Sequence, residues 1–177
     1  MRSRYKIINE GQLYFITSTI IQWIPVFNNE KYFDLIIDSL NFCRKEKGLK
    51  IYAYVLLDNH IHLIVSGEKL ELIIQSFKRH TAKKILETIR NDNKDWLLNQ
   101  LRYYKLKHKK QSEHQVWQEG YHPKEILTDE MFAQKVNYMH FNPVRRGYIN
   151  NPVHWKYSSA GILMNGGVGV LELDELD

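Results

Sequence analysis

The chain has 177 residues, of which 44% are hydrophobic and 12% aromatic, which excludes wholesale disorder and fits one compact domain better than two. Its formal net charge is +5, and Cys43 is the only cysteine, which excludes an internal disulfide and a zinc site built from several cysteines. No apolar run approaches the roughly 18 residues of a membrane span, so a cytoplasmic, soluble protein with no membrane partner is expected.

The stretch "QLYFITSTII" (12–21) is β-branched and aromatic and reads as a first strand. In "NNEKYFDLIIDSLNFCRKEKG" (28–48), Phe33, Ile36, Ile37, Leu40 and Cys43 recur at helical steps, with Asn29 placed to cap the start and Gly48 to stop the helix. Two strands follow, "LKIYAYVLL" (49–57) and "HIHLIVSG" (60–67), joined by the tight turn Asp58-Asn59. A second helix spans about 70–90, with Leu72, Ile73, Phe77, Ile85 and Leu86 as its apolar side and Lys78, Arg79, Lys83 and Lys84 as its basic side.

Residues 91–115 form a basic insertion carrying Arg102, Lys105, Lys107, Lys109 and Lys110, expected to be a surface loop or short helix. "VWQEGYHPKEIL" (116–127) predicts a short strand ending near Pro123. "TDEMFAQKVNYMHFNPVRRG" (128–147) opens with a Thr cap and two first-turn acids, and should run helically until Asn142, just before Pro143. The remaining residues predict no firm element. Glu172, Asp174, Glu175 and Asp177 make residues 165–177 an acidic tail, expected to be flexible, and without those acids the rest of the chain is four charges more positive. The order β-α-β-β-α-(loop)-β-α, with no internal repeat or boundary, implies a single α+β domain over 1–177. Its expected form is a ferredoxin-like antiparallel sheet with helices packed on one face.

The chemistry centres on His60 and His62. Residues two apart on a strand share a face, so both imidazoles aim at one spot. Either the fold satisfies each ring separately, or the two hold something between them, and neutral imidazole is a common metal ligand. Two ligands do not close a metal site. On the last predicted helix, Tyr138 and Asn142 lie four residues apart and share a face, away from the apolar stripe Phe132, Val136, Met139.

Together, "LLDNHIHLIV" and "VNYMHFNPVRRG" resemble the HUH single-tyrosine transposases, in particular the REP-associated tyrosine transposase branch. The resemblance extends over most of residues 5–161 and includes "SFKRHTAKKI", "VWQEGYH" and "HWKYSSAG". It implies a DNA strand transferase in which Tyr138, on the C-terminal helix, attacks a phosphodiester of single-stranded or hairpin DNA and forms a 5′-phosphotyrosine. It further implies that His60, His62 and Asn142 hold a divalent cation, Mg²⁺ or Mn²⁺, and that the protein acts as a monomer rather than a dimer. Ligand chemistry alone would equally permit zinc. Lys78, Arg79, Lys83, Lys84, Arg145 and Arg146 then become candidates for the DNA backbone. One departure is Asp58, which stands where many members have proline. The insertion and the acidic tail match nothing in the family. The alternative is a non-catalytic or domesticated nucleic-acid-binding protein of the same fold.

Overall fold

The computed structural model describes Ile7 and residues 9–176. The start of the 5–161 stretch, Ile8 and the tail's last acid, Asp177, lie outside the described residues. Strand β1 (Tyr14–Thr19) leads through a short 3-10 turn to helix α1 (Glu30–Lys47), followed by β2 (Lys50–Leu56) and β3 (His60–Ser66). Helix α2 (Leu70–Asn91), α3 (Asp95–Tyr103) and β4 (Lys124–Glu125) come next, then α4 (Asp129–His140), α5 (Asn142–Arg145) and α6 (Ala160–Asn165). The sheet order is β2-β3-β1-β4 with every neighbouring pair antiparallel, the ferredoxin-like arrangement expected from the element order. Among the described residues no helix is long and apolar enough to cross a membrane.

Alternation along the central strands divides the core in two. Tyr14, Ile16, Ile61, Leu63 and Val65 point to the face covered by α1, α2 and α3. Phe15, Ala53, Val55 and Ile64 point to the other face, where Met139 of α4 covers them. The sheet therefore carries α1 and α2 on one side, and the tyrosine-bearing helix on the other. That helix is not the last one, because α5 and α6 follow it.

Local chemistry explains most boundaries. Gly48 ends α1 in the left-handed conformation (φ 67°) and returns its N–H to the Cys43 carbonyl. Thr128 caps α4 by accepting from the Met131 N–H at 3.2 Å. The helix stops at His140, two residues earlier than the sequence suggests, and Pro143 sits in the first turn of α5. Within the basic insertion, α3 buries Leu97 and Leu101 in the first core.

Two expectations change. The strand predicted from 116 to near Pro123 forms no regular ladder, and β4 pairs only at Lys124–Glu125, just past that end. Upstream, Gln118 and Tyr121 still bond to Thr19 and Thr17 of β1 and Val116 to Ile21 in the turn after it, but positive φ at Gly120 (75°) and His122 (45°) breaks the ladder. The acidic tail also docks. Asp174 exchanges its backbone N–H with the Ile51 carbonyl and its carboxylate with the Ile51 N–H, both at 2.8 Å, and Arg44 pairs with the same carboxylate. Leu171 is buried. The tail thus covers part of the open edge of β2, and residues 157–159 cover more of it.

Candidate active site

β3 presents His60 and His62 to the α4 side of the sheet, 3% and 4% exposed, with ring centroids 4.7 Å apart and nearly perpendicular. Each ring has one nitrogen held from behind. His60 Nδ1 meets Asn59 Oδ1 at 2.7 Å, and His62 Nδ1 meets Thr17 Oγ1 at 2.8 Å. Thr17 reaches His62 because the β1–β3 register sets these residues opposite each other. An Asn oxygen can only accept, so His60 carries its proton on Nδ1, leaving Nε2 as a lone pair.

α4 and α5 supply the other half. The Asn142 side-chain amide lies 3.2 Å from His62 Nε2, and the Tyr138 ring centroid is 5.6 Å from that of His62. Tyr138 is 45% exposed, so the tyrosine is accessible beside a buried pair. Arg145 lies over the Tyr138 ring, 4.9 Å from its centroid, and also donates to the Tyr138 carbonyl. His62 and Tyr138 line a groove of about 530 Å³ together with Phe15, Trp23, Lys124 and Lys135.

The electrostatics keep both imidazoles neutral. Burial, helped by the Arg146 guanidinium, pushes His60 down to about 4. Burial also holds His62 well below the usual imidazole range, with His60, Arg146, Lys135 and Arg145 adding to the effect. Neutral rings with an Nε2 lone pair are the form in which histidine binds metal, and metal-binding histidines usually have their other ring nitrogen held from behind. Among the described residues there is no group of three or more His, Cys, Asp or Glu placed to hold a metal. A cation at this spot would need its third ligand from an amide. Turning the Asn142 amide over presents Oδ1, the atom a hard cation takes, so the donor set fits a divalent ion.

The basic residues divide. Arg145 and Arg146 flank the site, Arg146 being paired with Asp58 at 2.7 Å and with Asn59 at 3.2 Å. Lys78 does not offer a free charge. It is half-buried against the 116–121 segment, donates to the Gln118 and Gly120 carbonyls, and is pushed down to about 8 by desolvation there and by Lys109. Lys83 and Lys84 both pair with Glu87 on α2, across the sheet from the histidines. Arg79 lines a separate cleft of about 910 Å³ between α2 and residues 108–121. Sequence reading missed Thr17, Trp23 and Lys135. Lys135 sits one turn before Tyr138, 5.2 Å from the Phe15 ring centroid, and its helical spacing alone could have signalled it.

A ferredoxin-like sheet with a histidine pair on its central strand, facing a tyrosine and an amide from one helical segment, is the class of protein anticipated from the sequence. No family model matches the chain. A Haemophilus influenzae protein classed by its name among the REP-associated tyrosine transposases is 25% identical over 111 residues, covering 60% of this chain and 56% of that protein. The chain thus spans about half the length of that curated relative. The solved structure of a REP-associated tyrosine transposase bound to a REP hairpin matches over 99% of this chain and 93% of its own, with a TM-score of 0.66 and 16% identity. The chain is therefore similar in sequence to one protein of that name and shares the fold of the hairpin-bound structure. A Deinococcus radiodurans structure named as a transposase matches 78% of this chain and 95% of its own at 15% identity, with a TM-score of 0.47.

Proposed function

We propose that this protein is a single-tyrosine DNA transposase that cleaves and rejoins single-stranded DNA at hairpin-containing elements. The observation that carries the reading is the Asn142 amide 3.2 Å from His62 Nε2, beside the exposed Tyr138 ring and the neutral His60. A structural histidine pair would not need an accessible tyrosine at its open side. The relationship to REP-associated tyrosine transposases supports the same class of substrate.

In this reading the Tyr138 oxygen attacks the scissile phosphorus. A tyrosine O–P bond forms, the P–O3′ bond breaks, and the phenolic proton ends, through solvent, on the released 3′ oxygen. Reversal by another 3′-OH rejoins strands without an external energy source, because one phosphodiester replaces another. His60, His62 and Asn142 would hold a divalent cation, Mg²⁺ or Mn²⁺, which when bound polarises the phosphate and stabilises charge on the leaving oxygen. Arg145, stacked on Tyr138, orients the ring and adds positive charge near the phosphate. Arg146 braces the turn before His60 and contributes to the same field.

The test is cleavage of 5′- and 3′-labelled hairpins with Mn²⁺. A covalent adduct should form on the fragment carrying the 5′ phosphate, and Tyr138→Phe should lose both adduct and cleavage. Cleavage by Tyr138→Phe at the wild-type rate would refute the mechanism. Salt-sensitive binding with no adduct would instead indicate the non-catalytic alternative.

A further inference from the structure

The end of β1 holds an unusual residue. Gln22 and Trp23 both adopt positive φ, 51° and 56°, in a turn with no glycine. That conformation is unfavourable for bulky residues, and two in succession persist only where the surroundings fix them. Here the Trp23 N–H bonds to the Ile20 carbonyl at 3.0 Å, and the Trp23 carbonyl accepts from Asn59 Nδ2 at 2.8 Å. The same Asn59 side chain accepts from His60 Nδ1. One amide therefore fixes the turn and orients the first histidine.

The outcome is an indole left 52% exposed beside the site. Its ring stands edge-on to His60, with centroids 5.3 Å apart. Phe15, Tyr138, Lys124 and Lys135 line the same groove. A large exposed ring costs solubility and gives the fold little. A rigid ring next to ammonium groups and a nucleophile matches what a single strand requires, a flat surface for a base and positive charge for its phosphates.

We propose that Trp23 is a stacking platform for one unpaired base adjacent to the phosphate that Tyr138 attacks. This rests on the single-strand reading above. By stacking, Trp23 sets which phosphodiester lies over the histidine pair, and it demands that the neighbouring nucleotide be unpaired. It is a positioning residue for the nucleic acid and does not act on the reacting atoms.

The test compares wild type, Trp23→Ala and Trp23→Phe by fluorescence anisotropy in EDTA, so that cleavage does not intervene. The probes are a pool of hairpins with randomised stems and oligo-dT flanks, and the same pool with abasic flanks of equal charge. Trp23→Ala should bind the oligo-dT pool roughly 5- to 160-fold more weakly, the range of one lost base–aromatic stack. It should bind the abasic pool as wild type does, and Trp23→Phe should recover most of the loss. Equal binding of the oligo-dT pool by Trp23→Ala and wild type overturns the platform, as does an equal loss for both pools. If wild-type protein binds neither pool, the single-strand reading itself fails and the platform with it.

Discussion

Thr17 offers a sharp test of the histidine pair, because its hydroxyl touches His62 and valine fills the same place in the groove wall. Thr17→Val keeps the shape and removes the oxygen 2.8 Å from His62 Nδ1. His62 is 4% exposed, so water does not replace the lost partner. An unpaired buried polar group costs about 1–3 kcal/mol, which for a domain of this size lowers Tm by about 2–4 °C per kcal/mol. The second consequence is chemical. With Nδ1 unpaired, the ring can place its proton on Nε2, removing the lone pair that faces Asn142. Loss of such a supporting bond typically weakens metal binding by about 10- to 100-fold. Titration calorimetry with Mn²⁺ on wild type, Thr17→Val and Thr17→Ser separates the effects. The serine variant keeps the oxygen and should retain affinity. An unchanged Mn²⁺ affinity in Thr17→Val would refute the reasoning, and a fall in Tm alone would make Thr17 a residue of the fold only.

Two further outcomes follow from groups that are not ligands of the proposed cation. Burial pushes His140, which bonds to Ser159 at 2.8 Å, down to about 4 from its ordinary 6.5. Between those values the unfolded chain binds more protons, so stability rises with pH through that window, is fully present above about 6.5 and is lost as pH falls toward 4. His140→Gln should therefore lose about 2 kcal/mol less than wild type between about pH 7 and 5 in urea unfolding, and an identical pH profile would contradict it. Lys78→Met should lower Tm, because two carbonyls lose a charged donor worth about 1.5–3 kcal/mol, yet leave the salt dependence of DNA binding unchanged. A slope smaller by about one would show that Lys78 meets a phosphate after all.

Much of the site was legible because it obeys two periods. Strand alternation put His60 and His62 on one face, and helical spacing put Tyr138 and Asn142 on another. The structure brings the two sets together although α4 ends before Asn142, because the backbone stays in the right-handed helical region through Phe141 (φ −82°, ψ −3°) into α5. What the sequence hid depends on partners remote in the chain. Thr17 is an ordinary strand threonine until the antiparallel register sets it opposite His62. Lys78 looks like one more surface cation on a basic helix face, and its role appears only when the 116–121 carbonyls turn toward it. The tail's acids read as solvated charge, but Asp174 finds Arg44 and the Ile51 backbone. Trp23 could not be singled out, since composition does not reveal positive φ. The break in the fourth strand has the same origin, with Gly120 visible in the sequence but His122 an unexpected carrier of positive φ.

The two consecutive arginines of "NPVRRG" show how the halves of the site are kept in register. Arg145 reaches back to the Tyr138 carbonyl and covers its ring, fixing the proposed nucleophile to the helix that carries it. Arg146 reaches the other way, to Asp58 and Asn59 in the turn that precedes His60. That turn uses no positive φ, so its Asx residues are not there for backbone freedom. They serve as acceptors. Asp58, the position where proline was expected from the resemblance, supplies a carboxylate that a proline could not. The pair spans from the end of α5 to the β2–β3 turn and therefore sets how far Asn142 stands from His62. A hydrogen-bonded ion pair less than a third exposed can hold such a distance, whereas a solvated one would not. The departure at Asp58 and the second arginine thus act as one device, holding the Asn142 side of the site against the histidine side.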